Sequence, residues 1–216
     1  NSVLDLFTAP DLTKLVISEG SFDAAGTLEV RNVNATAEIE LQGSFSQDTL
    51  VTVKGGTGAL DLTLSDFFVE AAGTDIELMH NTSIVNVTST STDANGVNDI
   101  NGVVFQNELR VLNISGDAEL NAGNDGNEIV FDADRTATID ASELEADLLL
   151  EVATHGDVTY TGTNQTTGID SLTVTGADDS GETRLSLEAD FGAGSAAVNN
   201  LTIDATSGDN TASVTT

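Results

Sequence analysis

The sequence predicts an all-β chain, an irregular parallel β-solenoid (β-helix) with a β-sandwich as the alternative, and three observations carry that prediction. Short apolar or alternating clusters of Val, Ile, Leu and Thr recur along the whole chain. Gly, Asn, Asp and Ser fill the intervals between them, each suited to turns. Pro10 is the single proline of 216 residues, so beyond it no ladder loses a backbone donor to a pyrrolidine ring. A chain of this length withdraws roughly 70% of its unfolded surface from water, enough for a sizeable core. It reads as one elongated β-domain, 1–216, and a point of subdivision, if there is one, falls near 95–108.

The clusters run in order as "LVI" (15–17), "TLEV" (27–30), "EIEL" (38–41), "LVTV" (50–53), "LDLTL" (60–64), "IEL" (76–78), "IVNV" (84–87) and "VVF" (103–105). They continue as "LNI" (112–114), "IVF" (129–131), "ATI" (137–139), "LLL" (148–150), "VTY" (158–160), "LTV" (172–174), "LSL" (185–187) and "LTI" (201–203). Helical signal is sparse. In "DASELEADLLLEVA" (140–153) Ser142 would cap a helix and Leu144, Leu148 and Val152 recur at i, i+4 and i+8. The same stretch also reads as a turn followed by the strand "DLLLEV", and both readings stand. "SDFFVEAAG" (65–73) poses the same choice over a shorter span.

Degenerate repeats accompany the strands. "LNISGDA" (112–118) and "LTVTGAD" (172–178) share the order Leu, polar, Ile or Val, hydroxyl, Gly, and "TIDA" occurs at 138–141 and 202–205. Their spacing is not fixed, which argues against a leucine-rich or nonapeptide array and for coils of uneven length.

Charge sets the class of partner. Thirty-six acidic residues against six basic ones leave a net charge of −30. Nucleic acid needs a basic footprint and an anionic membrane repels this chain, so neither is an expected partner. Self-repulsion must be offset by divalent cations, by salt, or by spreading the charge over a large surface, which fits a saline or calcium-bearing exterior. Cysteine is absent, which removes disulfides, thiolate metal sites and a cysteine nucleophile together. No run approaches the length of a membrane span, and "NSVLDLFTAP" lacks the regions of a signal peptide. The missing initiator Met and the mid-pattern stop at "NTASVTT" are what a processed chain or an excised piece would show.

At "RVLNISGDAEL", "TATIDASELEADLLLEV", "GDVTYTGT", "IDSLTVTGADD" and "AVNNLTIDAT" the chain resembles the repeat region of bacterial and archaeal surface-layer proteins and of type-I-secreted, repeats-in-toxin-like surface proteins, mainly over 105–216. The resemblance implies an extracellular parallel β-solenoid at the cell surface, often stiffened by calcium, acting as lattice or scaffold. The sequence departs from it in lacking the "GGxGxDxLx" nonapeptide, which only "AGNDGNEIVF" (122–131) echoes.

Acidic turns are the candidate metal sites. Asp125, Asn127, Glu128, Asp132 and Asp134 gather hard oxygens around a Gly-rich bend, and Asp178, Asp179 and Glu182 form a second group. Ca²⁺ takes six to eight such oxygens; composition alone also scatters Asp through turns. Catalysis finds less support. His80 and His155 are isolated, no serine sits in a nucleophile elbow, and the aromatic platforms of a sugar-cleaving groove are poorly supplied by eight Phe, one Tyr and no Trp. The phenylalanines are expected in the core. Six Asn-x-Ser/Thr sequons, at Asn34, Asn81, Asn86, Asn113, Asn164 and Asn200, slightly exceed chance and would place any glycan at a surface.

The expected function is therefore structural and non-enzymatic: a self-assembling extracellular module of a surface layer or filament. An adhesin stalk recognising glycan or protein, and a carbohydrate-active β-helix enzyme, are the other readings. Assembly would run through uncovered strands near 12–20 or 200–208 pairing with a second copy.

Overall fold

The computed structural model describes residues 2–9, 11–18, 26–34, 36–45, 49–69, 75–81, 83–93, 96–100, 103–105, 109–122, 129–131, 136–154, 156–163, 168–176, 186–190, 197–205 and 211–215. These residues hold twenty strands and no helix. In chain order they are β1 (Ser2–Asp5), β2 (Lys14–Ser18), β3 (Gly26–Val33), β4 (Glu38–Phe45), β5 (Thr49–Thr57), β6 (Leu60–Val69), β7 (Asp75–Asn81), β8 (Ile84–Thr90), β9 (Val97–Asp99) and β10 (Val103–Phe105). There follow β11 (Val111–Gly116), β12 (Glu119–Ala122), β13 (Ile129–Val130), β14 (Ala137–Leu144), β15 (Leu148–Thr154), β16 (Val158–Thr161), β17 (Gly168–Gly176), β18 (Ser186–Asp190), β19 (Ala197–Ala205) and β20 (Thr211–Thr215).

The chain is a parallel β-solenoid. Its strands stack into three sheets: A, in the order β1-β3-β5-β7-β10; B, β2-β4-β6-β8-β11-β14-β16-β18-β20; and C, β19-β17-β15-β12-β9, with β13 also beside β15. Sheet B runs from one end of the fold to the other. From β1 to β6 the chain alternates between A and B; β7-β8-β9 and β10-β11-β12 visit all three sheets; from β14 onward it alternates between B and C. The exchange of A for C falls at residues 97–105. Coil length is irregular: the step along sheet B is 21 residues from Ile139 to Tyr160 and 29 from Tyr160 to Ala189.

Alternation makes each strand one-sided. In β15, Leu148, Leu150, Val152 and Thr154 are buried while the residues between them are half-exposed. Stacking at fixed register turns inward positions into columns, of which Leu60, Val85, Leu112, Ile139 and Tyr160 form one on five successive strands of sheet B. Each such side chain withdrawn from water contributes about 1.5–3 kcal/mol. A second column, Ile17, Leu41 and Leu64, continues as Ser89 and Gly116, small residues at the point where sheet C begins.

The stretch 140–153 is resolved in favour of turn and strand. Leu148, Leu150 and Val152 are buried at every second position of β15, Ala141 and Leu144 are buried on β14, and Ser142 N–H donates to Asp140 Oδ1 instead of Ser142 capping a helix. Likewise β6 extends through Phe67 and Phe68. The expectation for phenylalanine holds in part: Phe45 and Phe67 meet edge to face at 5.5 Å and Phe131 is buried, whereas Phe7 and Phe68 are exposed.

The repeats do not mark equivalent places. "LNISGDA" lies on β11 in sheet B, whereas "LTVTG" lies on β17 in sheet C; the two "TIDA" copies fall on β14 in B and β19 in C. The repeat unit is thus strand plus corner, not coil. The two segments expected to pair end to end also belong to different sheets, 12–20 carrying β2 of B and 200–208 carrying part of β19 of C.

Candidate functional site

The proposed calcium ligands Asp125, Asn127, Glu128, Asp132, Asp134, Asp178, Asp179 and Glu182 lie outside the described residues. Strand register locates what flanks the first group. Leu120–Ala122 of β12 pair with Leu148–Leu150, and Ile129 and Val130 of β13 pair with Val152 and Ala153. β12 and β13 therefore lie in one strand line along β15. Among the described residues no three His, Cys, Asp or Glu side chains come together as a metal-binding group. His80 falls on β7, and His155 lies outside the described residues.

The most elaborate polar site is at the handover between sheets. Asn98, on β9, is fully buried, and its Oδ1 accepts the Phe67 N–H at 2.6 Å. Its Nδ2 donates to Ser89 Oγ at 2.8 Å and to the Thr90 carbonyl at 2.9 Å. Ser89 Oγ donates in turn to the Glu119 carbonyl at 3.4 Å. One amide thus joins β6, β8 and β9, and through Ser89 reaches β12. Gly116 fits the same corner: with φ at +121° it lies so close to Ser89 that a Cβ would stand 1.9 Å from the Ser89 carbonyl oxygen. That oxygen accepts the N–H groups of Asp117 and Ala118.

Next to this corner Asp66 clamps the turn after β8. It sits at a bulge in the β4–β6 pairing with φ at 49°, a conformation that Asp tolerates better than most residues. It accepts hydrogen bonds from Ser91 Oγ, from Thr92 Oγ1 at 2.8 Å and from Thr92 N–H at 3.1 Å. The Ser91 and Thr92 hydroxyls hold its carboxyl below the usual range.

Other described acids also serve neighbouring coils. Glu29 receives Arg31 and Lys54, each at 2.6 Å, and Arg31 first, then Lys54, bring its pKa down to about 2. Lys14 bridges Glu38 and Glu40. On the outer face of sheet B, Asn86 Nδ2 donates to Asp61 Oδ1 at 2.7 Å and Asn113 Nδ2 to Asn86 Oδ1 at 2.8 Å, one rung per coil. Two sequon asparagines are therefore held mid-strand in a ladder. Asn34 occupies the turn before β4, Asn200 is exposed on β19, Asn81 ends β7, and Asn164 lies outside the described residues.

A buried carboxylate marks the C-terminal half. Asp170 stands directly above Leu148 in register, is 2% exposed, and accepts the Thr163 N–H at 2.9 Å and the Thr163 hydroxyl. Burial pushes its pKa up, the Thr163 bonds pull it down, and Asp147 adds a smaller upward push. Asp147 likewise raises Glu119 after burial does. Because the folded pKa of Asp170 exceeds the unfolded one, its contribution to stability is complete below the ordinary Asp value of about 3.9 and is lost as pH rises through the folded pKa. Asp170→Asn keeps an acceptor for Thr163 N–H and offers a donor to Thr163 Oγ1. It is expected to flatten this part of the pH dependence and to match or exceed the parent at pH 7. Thermal midpoints of both proteins across pH 3.5 to 7 check this; identical slopes refute it.

The Asn98 corner, the Asp66 clamp, the amide ladder and the Asp170 pair were not marked by any sequence pattern; the signal available was polar residues inside otherwise apolar strand stretches. Comparison of the chain with protein-family models, with curated proteins and with solved structures finds no match.

Proposed function

We propose that this chain is a structural module of an extracellular, self-assembling surface array, a surface-layer lattice or filament, and that it works by stacking and not by catalysis. The observation carrying this reading is an inward apolar position left exposed on β1, at the edge of sheet A. Leu4 is in register with buried Val30, on the inward side of sheet A, yet is 44% exposed. A further parallel coil would cover Leu4 and use the edge backbone groups of β1, and an uncovered edge is a template for such a strand. In this reading a second copy supplies it, negative charge keeps the polymer soluble, and calcium at the 125–134 and 178–182 acids damps the repulsion.

Light scattering and electron microscopy of the intact chain over a concentration series test this. Growth into filaments or sheets is expected. Leu4→Lys, placed where the side chain is already exposed, is expected to abolish growth while leaving the thermal midpoint within about 2 °C. An intact chain that stays monomeric at high concentration with millimolar calcium overturns the reading, and an adhesin-like stalk replaces it. Chelation at constant ionic strength separates calcium from simple screening.

A further inference from the structure

We propose that the corner between sheets A and B is a glycan-bearing edge with Asn34 and Asn81 as its acceptor asparagines, an inference that rests on the extracellular reading above. Stacking brings the two together although they lie far apart in sequence. Val33, Gly55 and His80 are in register on β3, β5 and β7, and Asn34 and Asn81 follow the first and the third of them. Both therefore stand where the chain leaves sheet A for sheet B, on coils two steps apart, about 10 Å along the stack. The corner between them is open, since a Cβ added at Gly58 meets nothing within 4 Å. Each begins an Asn-x-Ser/Thr sequon, Asn34 with Thr36 and Asn81 with Ser83.

Modification joins Asn Nδ2 to the anomeric carbon of a sugar. The bond from that carbon to the pyrophosphate of a lipid-linked oligosaccharide breaks, the lipid pyrophosphate leaves with the electron pair, and one amide proton passes to the transferring enzyme. That enzyme must hold the carboxamide and the hydroxyl two residues on together, which requires a backbone it can bend. Corners supply this. Thr36 is exposed, its N–H donates to Asn34 Oδ1 at 3.4 Å, and the turn closes on itself through Ala37 N–H to the Asn34 carbonyl at 3.0 Å. Strands do not. Asn86 and Asn113 lie on β8 and β11, each paired on both sides, and their Nδ2 groups donate to Asp61 and to Asn86. Asn200 and Thr202 are exposed, yet β19 pairs in register with β17 along its whole length. Reaching these asparagines requires a coil to open first.

The folded full chain, a purified oligosaccharyltransferase and a lipid-linked oligosaccharide test this, with modified asparagines located by mass spectrometry. Each rate is divided by that of the same sequon in a free peptide. On that scale Asn34 and Asn81 are expected to react at least about tenfold faster than Asn86, Asn113 and Asn200. Asn200 separates corner geometry from mere exposure. Thr36→Ala removes the hydroxyl, keeps the N–H bond to Asn34, and is expected to abolish modification at Asn34 alone with the thermal midpoint unchanged. In protein from its own cells, glycan mass is expected on Asn34 and Asn81. A bare chain there, corner asparagines that react no faster than Asn86 and Asn113, or Asn200 reacting as fast as Asn34, overturns the proposal. Filaments of an unglycosylated chain would sink this proposal alone, and a glycosylated chain that stays monomeric would sink only the assembly reading.

Discussion

Gly116→Ala is expected to destabilise the fold by about 2–5 kcal/mol, far more than alanine at a glycine of equal backbone geometry. Gly116 and Gly58 share a φ of +121°, which costs a side chain about 1–3 kcal/mol wherever it occurs. At Gly58 an added Cβ meets nothing within 4 Å, whereas at Gly116 it meets the Ser89 carbonyl oxygen at 1.9 Å. That oxygen cannot retreat without loosening the hydrogen bonds from Asp117 and Ala118, each a net contribution of about 1 kcal/mol. Denaturant unfolding of Gly58→Ala and Gly116→Ala beside the parent isolates the close approach. Equal losses in the two variants would sink the argument. The glycine of "LNISGDA" is thereby explained: it lets one coil's corner rest on the backbone of the coil before it.

Asn98→Leu is expected to cost about 3–5 kcal/mol, although it keeps the branching at Cγ and adds an apolar side chain to the core. It strands the Phe67 N–H and takes a donor from the Thr90 carbonyl and from Ser89 Oγ, which keeps its own bond to the Glu119 carbonyl; an orphaned buried polar group costs about 1–3 kcal/mol. Amide exchange at Phe67 gives a local readout, since its N–H loses its acceptor and should exchange faster than its neighbours in β6. Stability within 1 kcal/mol of the parent, with Phe67 still protected, would show that Asn98 is dispensable. The loss should be sharpest around β6, β8 and β9, because coils in a solenoid are stabilised by their neighbours.

Strand identity was legible because it is local. Each of the sixteen apolar clusters falls wholly or largely on a strand, since period-two alternation is a property of the pleat itself. The strands missed are those whose signal is weak: β1, exposed throughout; β9, whose "VND" buries two polar residues; β12, short and half polar; and β20, read only as an unfinished pattern. Helix and strand remained level over 140–153 because Leu144, Leu148 and Val152 satisfy both periods, and only Leu150, also buried, decides for strands.

The buried polar groups were illegible for a different reason. Asn98 and Asp170 look in sequence like ordinary turn or surface residues; what buries them is the neighbouring coil, Phe67 lying 31 residues from Asn98. Taken alone, the sequence determined that the chain is all-β, that its strands are short and one-sided, and that its surface is strongly acidic. Tertiary structure alone decided which sheet each strand joins, where A gives way to C, and which polar residues lie inside. The same "TIDA" serves in sheet B and in sheet C because a pleated strand presents the same alternation to any neighbour, and its place is set by corners and stacking contacts some 21 to 29 residues away.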